Sequence, residues 1–132
     1  MIVGLQEVVL WTQDIEKSLA FYRDLFGLSE YSPPDYTAKF LRAGDDIAGV
    51  PQVIVLVPHP DPEATFPHEK LKRVLHHLAL VVDPNRYDEQ RERCRDAGLE
   101  VRDGVHPLFK GVRTFYVDDP DGNEVELIAR ER

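Results

Sequence analysis

Three ionisable side chains fall where strand-like sequence would otherwise place core residues. Glu7 lies in the apolar run LQEVVL at 5–10, His77 in LHHLAL at 75–80, and Glu126 in EVELIA at 124–129. Successive residues of a strand point to opposite faces. Glu7 thus shares a face with Val9 and Trp11, His77 with Ala79 and Val81, and Glu126 with Glu124 and Ile128. Taken singly, each has an ordinary reading: a carboxylate at a strand end meets water, and a lone strand histidine is held by hydrogen bonds. Taken together they read differently, because a buried unpaired carboxylate costs several kcal/mol or stays protonated. A divalent cation would turn two carboxylates and an imidazole into a favourable set. Mixed nitrogen and oxygen donors suit one ion of zinc, iron, manganese, nickel or cobalt. With coordination positions left open, such an ion is a Lewis acid, and Glu126 or Glu7 is placed to carry a proton as the catalytic base.

Side chains so far apart in sequence need elements that bring them to defined places, and the chain carries an internal echo that supplies them. The run at 5–10 returns at 75–80, an offset of 70 (75 − 5). After the first run come Asp14 and the stretch 15–27, where Ile15, Leu19, Tyr22 and Phe26 recur at helical spacing, widened by Phe21 and Leu25. Asp14 is the expected N-cap and Gly27 the stop. After the second run, Asp83 and Pro84 begin a more polar helix over 86–97, with Tyr87, Cys94 and Ala97 on one side and Gly98 at its end. Extended stretches follow at 36–41 and 53–57 in the first half, and at 100–102, 113–117 and 124–129 in the second. Each half therefore reads as strand, helix, then several strands.

The expected organisation is one domain over 1–132, made of module 1 (1–58), a proline-punctuated linker (59–72) and module 2 (73–132). Asp118-Asp119-Pro120-Asp121-Gly122-Asn123 predicts a tight antiparallel turn. The helices are expected to cover the face of Val8, Leu10, Leu78, Leu80, Val125 and Leu127, leaving Glu7, His77 and Glu126 on the concave side.

Composition bounds the partners. With 132 residues, 42% of them hydrophobic, the chain can pack one core or two small modules that depend on each other. A net charge of −8 disfavours a general phosphate-backbone binder, so nucleic acid is not an expected partner. Cys94 is the only cysteine, which excludes an intramolecular disulfide framework and a multi-thiolate zinc site and points to a reducing, cytoplasmic setting. No apolar run approaches the roughly 18 residues of a membrane span and no leader pattern is evident, so neither membrane insertion nor export is expected.

Two stretches, 7–28 with Asp14, Ser18, Phe21-Tyr22 and Phe26-Gly27, and above all 115–127, FYVDDPDGNEVEL, resemble the vicinal oxygen chelate superfamily. That group includes glyoxalase I, bleomycin-resistance proteins, fosfomycin-resistance enzymes, methylmalonyl-CoA epimerase and type I extradiol dioxygenases. The resemblance implies an α+β fold of two βαβββ modules forming an open, cupped mixed sheet, with one divalent metal in the cup chelated by two oxygens of a small-molecule substrate. It also implies a homodimer. The family's ligand positions fall on Glu7, His77 and Glu126, although the first is commonly His or Gln. The fourth ligand of a glyoxalase falls on Val55 (126 − 71), so that set is incomplete, and Gln52 would need a shifted register.

Tyr116, Asp119, Pro120, Gly122 and Glu126 are similar to the C-terminal part of the extradiol dioxygenase signature, with His106 one residue too far from its expected place. Tyr116 matches a position whose hydroxyl reaches a substrate oxygen, or else it packs. Arg113 and Lys110 offer an anion site or a solvated charge. Trp11, Tyr36, Phe40 and Phe109 line an apolar pocket or fill core. Strand parity separates His76 from His77, and His59, His68 and His106 read as solvent-facing loop residues. The expected activity is Lewis-acid lyase, isomerase or addition chemistry on a small oxygen-rich substrate. The alternatives are a metal-free small-molecule or antibiotic binder of the bleomycin-resistance type, and an Fe(II) extradiol-type dioxygenase.

Overall fold

Both halves of the chain fold by one rule: a strand, a helix, then further strands, the last of which returns beside the first. The computed structural model describes residues 1–132 and divides them into two units, Met1–Thr65 and Phe66–Arg132. The first unit runs β1 (Glu7–Thr12), α1 (Ile15–Leu19), a π-helical turn (Ala20–Leu25), β2 (Ser29–Glu30), β3 (Lys39–Ile47) and β4 (Val50–Pro58). The second runs a 3-10 turn (Lys70–Lys72), β5 (Leu78–Val81), a 3-10 turn (Pro84–Arg86), α2 (Tyr87–Asp96), β6 (Arg102–Gly104), β7 (Val112–Asp118) and β8 (Glu124–Arg130). Each forms a four-stranded mixed sheet, ordered β1-β4-β3-β2 and β5-β8-β7-β6, with the first pair parallel and the rest antiparallel. These are the two βαβββ modules. The registers repeat as well, Val8 lying opposite Ile54 and Leu78 opposite Val125.

In the first unit β1 buries Leu10 and Thr12 while Glu7, Val9 and Trp11 stay exposed, and the central strand β4 buries Val53, Ile54, Val55 and Leu56 in succession. The Asp14 carboxylate accepts the N–H groups of Glu16 and Lys17 at 3.1 and 3.2 Å, so the expected cap starts α1. The single helix expected over 15–27 is not what forms. After one α turn the winding widens to π, and Phe26 N–H bonds to the Phe21 carbonyl. Phe21 meets Tyr22 and Phe26 edge to face at 4.7 and 4.6 Å, and Gly27 closes the segment at φ +77°. The strand β2 is not signalled by its sequence. It is only two residues long, and β3 begins later than expected and runs further.

In the second unit α2 presents little apolar surface, mainly Tyr87 and Cys94, and Tyr87 packs on Phe115 at 5.4 Å. Charged contacts hold its other side: Arg91 donates twice to Asp103 of β6, and Arg113 of β7 donates to Asp88. Asp83 caps the preceding turn through Asn85 N–H. Two expected strands shift: β5 begins at Leu78 rather than 75, and β6 lies at Arg102–Gly104 rather than 100–102. Part of the proline-punctuated segment is structured too, for Lys70–Lys72 forms a helical turn ahead of β5. No helix is long and apolar enough to cross a membrane.

Candidate metal centre

The sharp turn between β7 and β8 sets the register of the site. Asp119 is buried, and its Oδ1 accepts the N–H groups of Asp121 and Asn123, both at 2.9 Å, while Oδ2 accepts the Asn123 amide at 2.8 Å. Gly122 takes φ +84°, a conformation open to glycine. With the turn so fixed, Glu126 of β8 stands opposite Tyr116 of β7. The Glu126 side chain is only 3% exposed, and Oε2 accepts the hydroxyls of Thr114 at 2.6 Å and Tyr116 at 2.8 Å. Burial works to raise its carboxyl, but those two hydrogen bonds, aided by His77 and His106, outweigh it and hold the group below the ordinary carboxylate range. Burial and the neighbouring carboxylate raise the Tyr116 phenol in turn. Gly104 of β6 leaves room for this ring, since a Cβ there would come within 2.6 Å of Tyr116 Cε2.

His77 lies one residue before β5. Its Nε2 faces Glu126 Oε1 at 3.5 Å, beyond normal hydrogen-bond length, and its ring meets Tyr116 edge to face at 5.9 Å. Two ligands about 2.1 Å from one tetrahedral ion are separated by roughly 3.4 Å, so this nitrogen and this oxygen fit a shared cation. Oε2 is already engaged by hydroxyls, which leaves Oε1 as the oxygen turned to the imidazole. The structure therefore brings together His77, Glu126 and Tyr116.

His76 joins them, against expectation: its Nδ1 lies 2.7 Å from His77 Nδ1. The alternation that separates the two residues holds only within a strand, and β5 has not begun at 76 and 77. His76, His77 and Glu124 bring donor atoms within 4.8 Å of one another.

Glu7 is exposed at the first position of β1, next to Val8, as His77 is next to Leu78. Val55 is buried between Val9 and Phe40 and offers no ligand atom; Gln52 lies opposite Gly44. Trp11 is half exposed and packs on His59 at 4.8 Å. Arg113, the candidate anion-binding residue, does not share a face with Tyr116. It sits on the opposite face of β7, stacked 4.2 Å over the Tyr87 ring and bonded to Asp88. Phe109 is exposed and stacks flat on His106 at 4.4 Å. His106 is turned back on its own loop, accepting the N–H groups of Leu108 and Phe109 at Nδ1.

A cationic recess of about 270 Å³, bounded by His68, Lys70, Arg73, His76, Arg102 and Glu124 among others, has no counterpart in the expected site. Lys70 and Arg102 pair with Glu124, and Arg102 also with Asp118. Burial raises the Glu124 carboxyl, yet Lys70 and Arg102 outweigh it and hold the group low. Arg73 donates only to uncharged acceptors, the carbonyls of Pro67 and Asp121 and the Asn123 side chain, so its charge is the surplus. The available signal is the basic run Lys70, Lys72, Arg73 just ahead of the paired histidines.

Residues 4–127 match the model of the Glyoxalase/Bleomycin resistance protein/Dioxygenase superfamily. Metallothiol transferase FosB of Staphylococcus saprophyticus is 24% identical over 127 residues, covering 96% of this chain and 77% of its own. Lactoylglutathione lyase of Neisseria meningitidis serogroup B is 28% identical, covering 96% and 91%. Among solved structures, the fosfomycin resistance protein FosX of Listeria monocytogenes superposes with a TM-score of 0.69 at 28% identity, covering 98% of this chain and 92% of its own. A mutant of that FosX was crystallised with Mn(II) and 1S,2S-dihydroxypropylphosphonic acid.

Proposed function

The chain belongs to the Glyoxalase/Bleomycin resistance protein/Dioxygenase superfamily, and on that premise we propose that it is a metal-dependent enzyme acting on a small, oxygen-rich molecule. His77 and Glu126 hold one divalent ion, and Glu7 occupies in the first module the position that His77 occupies in the second. One observation carries the reading: His77 Nε2 faces Glu126 Oε1 at 3.5 Å while the other carboxylate oxygen is fully engaged by hydroxyls.

When bound, the ion supplies Lewis-acid stabilisation of negative charge on a substrate oxygen. Tyr116 and Thr114 orient Glu126 and keep it anionic. Tyr116 gives its one hydroxyl hydrogen to that carboxylate at 2.8 Å and keeps oxygen lone pairs with which to accept a hydrogen from a substrate hydroxyl. The reaction class is addition, lyase or isomerase chemistry, in keeping with relatives named as a metallothiol transferase and a lactoylglutathione lyase. The recess beside Glu124, with its surplus arginine charge, favours a substrate that carries an anionic group. The dioxygenase reading is weaker, because His106 Nδ1 is committed to its own loop. A homodimer in the cytoplasm completes the proposal.

The test is metal analysis of protein purified without added metal, beside His77→Ala and Glu126→Ala variants. Near-stoichiometric metal in the wild type and its loss in both variants is expected. Full retention in the variants overturns the assignment of His77 and Glu126 as ligands, whereas protein purified without metal and stabilised by a small-molecule ligand regardless of EDTA favours the binding-protein reading.

A further inference from the structure

His76 and His77 are consecutive, yet their rings meet, with centroids 4.9 Å apart and planes at 65°. Two imidazole nitrogens 2.7 Å apart require that one carry a hydrogen and the other present a lone pair. A ligating nitrogen must present its lone pair to the ion. If Nε2 of His77, the nitrogen facing Glu126, is the ligand, then the ring hydrogen of neutral His77 sits on Nδ1. His76 Nδ1 is the acceptor in reach.

We propose that His76 is a positioning residue for the metal centre: its Nδ1 accepts the Nδ1–H of His77 and so fixes both the tautomer and the ring orientation that turn His77 Nε2 toward the ion. The inference rests on His77 being a ligand, as proposed above. A second ion held by His76, His77 and Glu124 is the competing use of the same donors, since these lie within 4.8 Å. The surroundings oppose it, because Glu124 is already paired with Lys70 and Arg102 and the recess adds Arg73. A divalent ion there would join three cations, Lys70, Arg73 and Arg102, that already outnumber the two carboxylates of the recess, Glu124 and Asp118. Donating Nδ1–H to His76 also leaves His77 no lone pair on that side.

Partners that orient a ligating histidine are typically worth about 10–100-fold in metal affinity. The experiment measures Zn(II) affinity by competition with a chromophoric chelator for the wild type and for His76→Ala, His76→Asn and His77→Ala, with circular dichroism as the fold control. It adds the ¹⁵N spectrum of the His77 ring in zinc-loaded wild type. His77→Ala should lose the site. His76→Ala should bind about 10–100-fold more weakly, and His76→Asn, whose amide oxygen can accept close to where Nδ1 did, should recover most of that loss. The hydrogen should appear on Nδ1 of His77. If His76→Ala binds like the wild type while His77→Ala does not, the positioning role is overturned and the centre stands; if the hydrogen appears on Nε2, that nitrogen has no lone pair for the ion, and the positioning role falls together with the assignment of Nε2 as the ligand. If His77→Ala binds like the wild type, the centre itself falls.

Discussion

At the scale of single residues, Glu126 decides how the site behaves. It is a buried carboxylate held anionic by two hydroxyl donors, and removing one donor leaves a charge partly unsatisfied. Tyr116→Phe and Thr114→Val should each destabilise the metal-free protein by about 1–3 kcal/mol and move the Glu126 carboxyl up toward its ordinary range, readable by carboxyl ¹³C titration. The sign of the pH effect follows. A carboxyl depressed in the folded state stabilises it above the unfolded pKa, near 4.3 for Glu, and loses that contribution as pH falls through the lower, folded value. Acid unfolding of metal-free Tyr116→Phe should therefore show a shallower loss of stability below that pH than the wild type. Glu126 was legible from residue type and strand parity and His77 from residue type, since β5 begins only at Leu78. Thr114 was not, because its partnership with Glu126 depends on the exact register of a hairpin, and the closeness of His76 to His77 is hidden from strand parity because no strand exists at 76 and 77.

At the scale of elements, the turn after β7 is the part on which the register depends. Asp119→Ala leaves the N–H groups of Asp121 and Asn123 without their acceptor in a buried turn, at a cost of about 1–3 kcal/mol for each group left unsatisfied. A fall of several degrees in Tm should result, with weakened metal binding as Glu126 loses its alignment with Tyr116. The helix α2 answers to a different force. Its tie to β6 is the Arg91–Asp103 pair, in which the guanidinium hydrogen bonds hold the Asp103 carboxyl below its ordinary value. Asp103 is exposed, so Asp103→Asn should cost under about 1 kcal/mol near neutral pH. That cost should vanish as pH falls through the folded-state value of Asp103, because the wild type then loses the same pair. Caps and stops were legible in Asp14, Gly27, Asp83 and Gly98, where side-chain chemistry is local. The π turn, β2 and the start of β5 were not, since aromatic packing and partner strands decide where a helix widens and where a ladder begins.

At the scale of the whole molecule, the echo between 5–10 and 75–80 is visible in the structure as two sheets of the same strand order and matching register. This much was legible because a repeat writes the same apolar pattern twice. What differs between the repeats is chemical: Val55 stands where the second module has Glu126, and Glu7 where it has His77. The net charge of −8 hides the local excess of Lys70, Arg73 and Arg102 around the recess. Binding of Mn(II) should stabilise the chain by mass action, about 2.7 kcal/mol at a hundredfold excess over Kd, and EDTA should reverse it. The most direct measurement is the anomalous scattering of Mn(II) in crystals of the metal-loaded protein. One peak is expected within about 2.3 Å of His77 Nε2 and a Glu126 carboxylate oxygen. A peak between His76, His77 and Glu124 that leaves Glu126 untouched, or no peak in metal-loaded crystals, would contradict it.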